Sequence, residues 1–254
     1  MPPLRISIVT YNIWGNQRWD FRKDALGNFM LRFSPDVVCL QEFDPASRNL
    51  LDQTLAGHRR VDDTFAGWTH QSNIYWRASL FDEIEHGAED VGIAHEPDRR
   101  LFWVRLAVKD LDRSMLVTTA HLTHQSHPEE RRTGQSPRIA QTRRIIEELK
   151  RLNHDREPLF FMGDLNDAVH PTALLHDAGY VTCFASLGLQ PPPTNKCYPT
   201  ADVKPGAPVV RQCIDWIVAN RHARAVSASV PQFFFNDAAP SDHWPVQAVY
   251  ELTA

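Results

Sequence analysis

The stretch Phe160-Phe161-Met162-Gly163-Asp164-Leu165-Asn166-Asp167 runs apolar residues straight into a glycine turn and then sets Asp and Asn two positions apart. A short continuous apolar run ending in a turn signal reads as a strand buried on both faces. In an α/β protein, whatever follows such a strand is delivered to the carboxyl edge of the sheet, where ligands bind. At i, i+2 spacing in an extended chain, Asp164 and Asn166 face the same way. A carboxylate beside a neutral amide suits a hard cation and a phosphate better than a core. Taken alone, the stretch reads more simply as a strand-to-loop turn, because Gly, Asp and Asn all favour turns.

Other segments repeat the pattern. Ile6-Ser7-Ile8-Val9-Thr10-Tyr11-Asn12 ends in an amide, Asp36-Val37-Val38-Cys39-Leu40-Gln41-Glu42 in a carboxylate, and Met115-Leu116-Val117-Thr118-Thr119-Ala120-His121 in an imidazole. Cys213-Ile214-Asp215-Trp216-Ile217-Val218 buries an Asp in a β-rich run, and Ser241-Asp242-His243 precedes a final strand pattern from Pro245 to Tyr250. Core packing gives no reason for six strand-like segments to carry Asn, Glu, His, Asp/Asn, Asp and Asp/His at their ends.

With these residues in order, the chain resembles the endonuclease/exonuclease/phosphatase superfamily, whose fold is that of pancreatic deoxyribonuclease. The likeness rests on Thr10-Tyr11-Asn12, Leu40-Gln41-Glu42, Ala120-His121-Leu122, Gly163-Asp164-Leu165-Asn166, Ile214-Asp215-Trp216 and Ser241-Asp242-His243. These span nearly the whole chain and are specific as a set. The resemblance implies phosphoester hydrolysis and leaves the substrate open: members cut DNA, RNA, phosphotyrosyl linkages, sphingomyelin and inositol phosphates.

The pattern predicts strands near 4–11, 36–41, 71–77, 101–108, 115–121, 159–162, 214–219, 224–230 and 245–251. It predicts helices near 18–33, 46–56, 136–153 and 171–178, the last with Pro171 in its first turn and Gly179 at its end. Ile139, Ile145, Ile146, Leu149 and Leu152 supply the apolar stripe of the third. The expected class is α/β (α+β): a four-layer sandwich of two packed mixed sheets flanked by helices, in one domain over residues 1–254. Two long connections, 123–137 and the Pro-rich 188–212 with Pro191, Pro192, Pro193, Pro199, Pro205 and Pro208, are expected to rim the pocket and select substrate.

No window of about 18 apolar residues exists, so no membrane span is expected. The start, Met1-Pro2-Pro3-Leu4-Arg5, lacks a basic segment followed by an apolar stretch, which argues for a cytoplasmic protein. Cys39, Cys183, Cys197 and Cys213 show no zinc-like pairing and are expected as free thiols, with a Cys197–Cys213 bridge as the rival arrangement. The net charge of −4 argues against nonspecific binding of long nucleic acid. The clusters Arg59/Arg60, Arg99/Arg100, Arg131/Arg132 and Arg143/Arg144 read as solvated faces. A monomer acting on a short or small phosphoester is expected.

Residue chemistry assigns candidate roles. Glu42 is a metal ligand for Mg²⁺ (or Mn²⁺), since hard divalent cations prefer carboxylates and water; Asn12 belongs to the same metal set and would hydrogen-bond Glu42 or the phosphate to fix the site. Asp164 positions and deprotonates the attacking water, and Asn166 donates to a phosphate oxygen without repelling it. Asp242 is a metal ligand or supports one. The resemblance implies that Asp215 orients His243 and that His121 contacts the scissile phosphate. Arg131, Arg132 and His124 are candidate substrate contacts on the first long loop. Glu42, Asp164, Asp215 and Asp242 crowded together would repel by several kcal/mol at intermediate dielectric, on the order that a metal and a protonated His243 would relieve.

Many relatives carry Asn-x-Asp after the first strand, where this chain has Trp14, so one principal metal is expected. Trp14, Trp68, Trp103 and Trp244 are read as packing residues before base-stacking ones, and Arg138 with Gln141 as a packing pair. The leading functional reading is a Mg²⁺-dependent phosphodiesterase, a nuclease on nucleic-acid ends or short substrates. The alternatives are a phosphatase or phosphodiesterase on a small phosphoester or lipid head group, and a non-catalytic scaffold.

Overall fold

The computed structural model describes residues 3–93, 95–109, 111–197 and 211–252. In chain order the elements are β1 (Leu4–Asn12), α1 (Trp19–Phe33), β2 (Val37–Gln41), α2 (Pro45–Thr54), β3 (His58–Arg60), α3 (Gly67–His70), β4 (Ser72–Arg77) and β5 (Phe81–Glu89). Next come β6 (Leu101–Val108), β7 (Arg113–His121), α4 (Pro128–Thr133), α5 (Pro137–Leu152), β8 (Leu159–Asp164) and α6 (His170–Asp177). The chain closes with β9 (Val181–Thr182), α7 (Cys183–Ser186), β10 (Asp215–Ala219), β11 (Arg224–Ser229) and β12 (Val246–Leu252).

Two six-stranded sheets form among the described residues, ordered β11-β12-β1-β2-β4-β3 and β5-β6-β7-β8-β10-β9. Both are mixed. The parallel pairs are those joined through a long helix: β1 with β2 across α1, and β7 with β8 across α5. That follows from chain geometry, because a parallel pair needs a crossover long enough to return to the same end. β1 packs on β8 and β10, and β2 on β7 and β8, so the two parallel pairs lie face to face.

Side-chain alternation then sorts each strand. On β1, Ile6 and Ile8 join the core between the sheets, whereas Val9 and Tyr11 point out to Leu26, Phe29 and Met30 of α1. On β2, Val37 and Cys39 face in, and Val38 and Leu40 face the helices. The inner core is completed by Val117, Phe160, Met162 and Ile217. The same inner faces turn polar toward one end of the sandwich. Gln41 Nε2 donates to Thr10 Oγ1 at 3.1 Å and to Thr119 Oγ1 at 2.9 Å, bridging the sheets.

Several elements lie outside the sequence pattern. β5 reads Phe-Asp-Glu-Ile-Glu-His-Gly-Ala-Glu, with only Phe81 buried, because it is an edge strand and edge strands carry charge that discourages further pairing. β3, β9, α3 and α7 are too short to show periodicity. The connection 123–137, expected from sequence to be irregular, contains α4, a short helix opening at Pro128 and closing at Gly134 in the left-handed conformation. In the second long connection Pro199, Pro205 and Pro208 lie outside the described residues. All four cysteines are buried and free, including Cys197 and Cys213. Among the described residues no helix is long and apolar enough to cross a membrane.

Candidate active site

The polar ends of the inner faces meet at one end of the sandwich. The sheet register aligns His121 with Asp164, and Asp164 with Asp215, in a single row across β7, β8 and β10. Asn12 approaches from the opposite sheet, and its Nδ2 donates both to Asp164 Oδ2 at 2.9 Å and to Glu42 Oε1 at 3.0 Å. The row is tight because Gly163 lets β7 and β8 close in: a β-carbon there would lie 1.9 Å from the carbonyl oxygen of Ala120. Three strands leave the sheets through non-glycine residues with positive φ: Trp14 at 60° after β1, Glu42 at 53° after β2, and Asn166 at 49° after β8. Such backbone persists only where the surroundings hold it, and it clusters at functional sites.

His243 lies on the turn before β12. Its Nδ1–H donates to Asp215 Oδ2 at 2.8 Å, and its Nε2 lies 3.0 Å from the side-chain amide of Asn195, whose oxygen is the partner when the ring is protonated, and 3.9 Å from Asp164 Oδ2. The turn is fastened to β1 by Ser241 Oγ, which donates to the Asn12 carbonyl at 2.7 Å. Thr194 Oγ1 accepts from the backbone N–H groups of Ile214 and Asp215, which fixes the start of β10. Asp215, wholly buried in an apolar strand, has the partner that its position demands.

Burial strips charge from these groups, and their neighbours decide which keep it. Asp164 is pushed up to about 7, first by burial and then by the like charge of Asp215, against the opposing pull of His243 and Asn12. Burial raises Glu42 and Asp242 as well, with His243 pulling both back. For His243, burial alone favours the neutral ring, but Asp215 and Asp164 outweigh it and hold the imidazole well above its ordinary value. His121 goes the other way: burial, then the charges of Arg99, His243 and His124, keep it neutral, with Nε2 3.3 Å from Asp164 Oδ2.

Two sets of groups suit a cation. Ligand atoms of Asp164, Asp215 and His243 all lie within 4.8 Å of one another. That trio is already knit by the His243–Asp215 hydrogen bond, which occupies two of its atoms. Glu42 and Asp242 are less committed: Asp242 Oδ1 is buried with no hydrogen-bond partner among the described residues, and Asp242 is among the charges that raise Glu42.

The structure thus brings together Asn12, Glu42, His121, Asp164, Asn166, Asp215, Asp242 and His243. Asn166 spends one amide hydrogen on the Leu122 carbonyl at 3.0 Å, while its backbone N–H donates to Asp164 Oδ1 at 2.9 Å. His124 stands at the rim, exposed, with His243, Lys196 and Arg131 among the charges that lower it after burial. Arg131 and Arg132 are exposed on α4, where Arg132 is held by Glu129. Arg138 is buried and donates to Glu130, Asp167 and the Thr123 carbonyl, and Gln141 bonds Thr123, so this pair packs the loop behind the site.

Two residues escape sequence reading. Asn195 touches His243, and its one signal is its place in a long loop. Arg99, expected with Arg100 on a solvated face, has a side chain only 10% exposed, and its charge acts on His121 and Glu42. An arginine pair carries no mark of which member turns inward.

The sequence profile described as the Endonuclease/Exonuclease/phosphatase family matches residues 9–243. The structure is similar to that of TDP2 from D. rerio complexed with a single-strand DNA product, at TM-score 0.79 and 19% identity over 97% of this chain and 98% of that one. It is also similar to a mannosyl-6-phosphatase of Bacteroides thetaiotaomicron, at TM-score 0.77 and 16% identity over 96% and 99%. A Schizosaccharomyces pombe protein described as a probable RNA exonuclease is 26% identical over 193 residues, covering 64% of this chain and 36% of that protein. This chain therefore aligns with little more than a third of that relative's length. With the profile matched across the strand ends that build the site, the chain belongs to the Endonuclease/Exonuclease/phosphatase family.

Proposed function

We propose that the chain is a phosphodiesterase dependent on Mg²⁺ or Mn²⁺, acting on nucleic-acid ends or short nucleic acids. One observation carries this reading: the strand ends of both sheets and the turn before β12 converge on Asp164 Oδ2, with Asn12 at 2.9 Å, His121 at 3.3 Å and His243 at 3.9 Å. The donors fit a hard divalent cation. Glu42 and Asp242 offer carboxylate oxygens, and the orphaned Asp242 Oδ1 is the kind of buried acceptor that a cation satisfies. Glu42 and Asp242 would hold the ion, with Asn12 fixing Glu42. When bound, it would neutralise charge on the phosphate oxygens as a Lewis acid.

The remaining chemistry belongs to side chains. Asp164, poised near neutrality by burial and Asp215, is matched to take a proton from the attacking water at Oδ2. His243, kept protonated by Asp215, presents Nε2 to a phosphate oxygen and stabilises the charge that grows there. His121, neutral, orients Asp164 through Nε2. Asn166 has an amide hydrogen left after Leu122 for a nonbridging oxygen. The description of the Schizosaccharomyces pombe relative as a probable RNA exonuclease favours nucleic acid among phosphodiesters.

Release of nitrophenolate from bis(4-nitrophenyl) phosphate, requiring Mg²⁺ and abolished by chelator, is the expected result. A net charge of −4 also accommodates a small phosphomonoester. Faster turnover of 4-nitrophenyl phosphate than of the diester would replace the present reading with a phosphatase.

A further inference from the structure

Beside His243 lies a cavity of about 230 Å³ lined by Pro193, Lys196, Arg211, Gln232, Phe234 and Trp244. It is fastened to the catalytic cluster at three points. Trp244 follows His243 directly, and its N–H donates to the Thr194 carbonyl at 2.7 Å. Asn195, which precedes Lys196, reaches His243 Nε2. Gln212, which follows Arg211, exchanges backbone hydrogen bonds with Asn195 at 3.0 and 3.1 Å. The charge of Lys196 is felt at both Asp242 and His124.

Its lining combines two chemistries. Phe234 is 46% exposed, yet its ring is held edge to face on the nearly buried Trp244, with centroids 5.2 Å apart and planes at 76°. A presented, immobilised aromatic is what an unpaired base stacks on. Lys196 and Arg211 add two cations outside the cluster that would engage the scissile phosphate. A sugar monophosphate has one phosphate, which the cluster would consume, leaving these cations with nothing to bind. A nucleic acid carries a phosphate on both sides of every internal nucleoside. The cavity is sized for one flexible unit, and the net charge of −4 disfavours tracking along a long duplex.

We propose that this cavity binds the nucleotide flanking the scissile phosphate of a single-stranded nucleic acid, with its base against Phe234 and its outer phosphate between Lys196 and Arg211. The assignment rests on the phosphodiesterase reading and deepens it by naming the substrate's form. Among the four tryptophans singled out in the sequence, it gives the rim position to Trp244, as the support of Phe234. Trp68 and Trp103 are core residues.

The test reads binding and hydrolysis separately. Labelled deoxy- and ribo-oligonucleotides of about ten residues are titrated by fluorescence anisotropy in chelator, where nothing is cut. Phe234→Ala weakens Kd about tenfold, as expected when one base can no longer stack. Lys196→Gln with Arg211→Gln lowers the slope of log affinity against log salt by about 0.7, the value for the one single-strand phosphate that the pair no longer neutralises. The tighter of the two wild-type complexes identifies RNA or DNA as the source. Variants that keep the wild-type Kd and salt slope would overturn the site, as would duplex bound as tightly as single strand. Absence of diester hydrolysis by a protein that still shows these binding changes would strike the catalytic reading alone.

Discussion

Replacing Asp215 by Asn keeps the shape of the side chain and removes one charge from beneath His243. In the native protein the carboxylate accepts the Nδ1–H of a buried imidazole at 2.8 Å. A hydrogen bond involving a charged group contributes about 1.5–3 kcal/mol and a neutral one about 0.5–1.5, so the exchange costs about 1–2 kcal/mol wherever His243 is protonated. The sign with pH follows from linkage. Burial alone would lower His243, but Asp215 and Asp164 raise it above its unfolded value. A group raised in this way contributes its stability fully below the unfolded pKa, about 6.5 for histidine, and loses it as pH rises through the folded value. The penalty of Asp215→Asn is therefore largest near about pH 6 and shrinks in alkaline solution.

Asp164 shifts too, because Asp215 is the like charge that helps hold it up. In the variant Asp164 titrates lower, so the acid limb of the activity profile moves to lower pH while turnover falls. Urea denaturation of the metal-free protein at about pH 6 and about pH 9 measures the stability difference directly. Equal losses at the two pH values, or a larger loss at the alkaline one, would refute the assignment of a protonated His243 held by Asp215.

Asp164→Asn should cut turnover about 10²–10⁴-fold, the range for removing a general base, and steady-state rates on the diester will show it. Mg²⁺ or Mn²⁺ at millimolar concentration should raise the melting temperature by relieving Glu42 and Asp242, and chelator should reverse the gain; an unchanged melting curve would count against the cation site. Far from the site, His86 hydrogen-bonds Glu83 at 2.6 Å and Asp63 at 3.1 Å; these bonds outweigh its burial and raise it. Its contribution is thus complete below about pH 6.5 and fades above, so His86→Gln should lower the melting temperature more in acid than in alkali. Gly163→Ala sets a methyl group 1.9 Å from the Ala120 carbonyl oxygen, and should cost at least about 4 kcal/mol or prevent folding, as read by denaturation.

Much of this molecule is legible in one dimension. Ile6, Ile8, Val37, Cys39, Phe160 and Met162 are core residues because runs of apolar residues between turn signals can be satisfied only by burial. The helix Pro137–Leu152 announces itself by its stripe, and its Arg138 and Gln141 are buried packing residues. β5 does not announce itself, because an edge strand buries too little to constrain its residues. Nor does α4, whose six residues bury nothing. Arg99, Asn195 and Phe234 belong to connections, where no period links a residue to a direction.

The chain's own order of residues determined which strand ends carry Asn12, Glu42, His121, Asp164, Asp215 and His243, and hence the chemistry on offer. Only the tertiary structure decided that they share one end of the sandwich, that His121, Asp164 and Asp215 fall in one register row, and that burial and neighbouring charge lower His121 while raising Asp164 and His243. The reason is physical. Alternation and hydrophobicity act over a few residues and are written locally, whereas proximity between Asn12 and Asp164 and the field that each group feels arise from contacts between segments far apart along the chain.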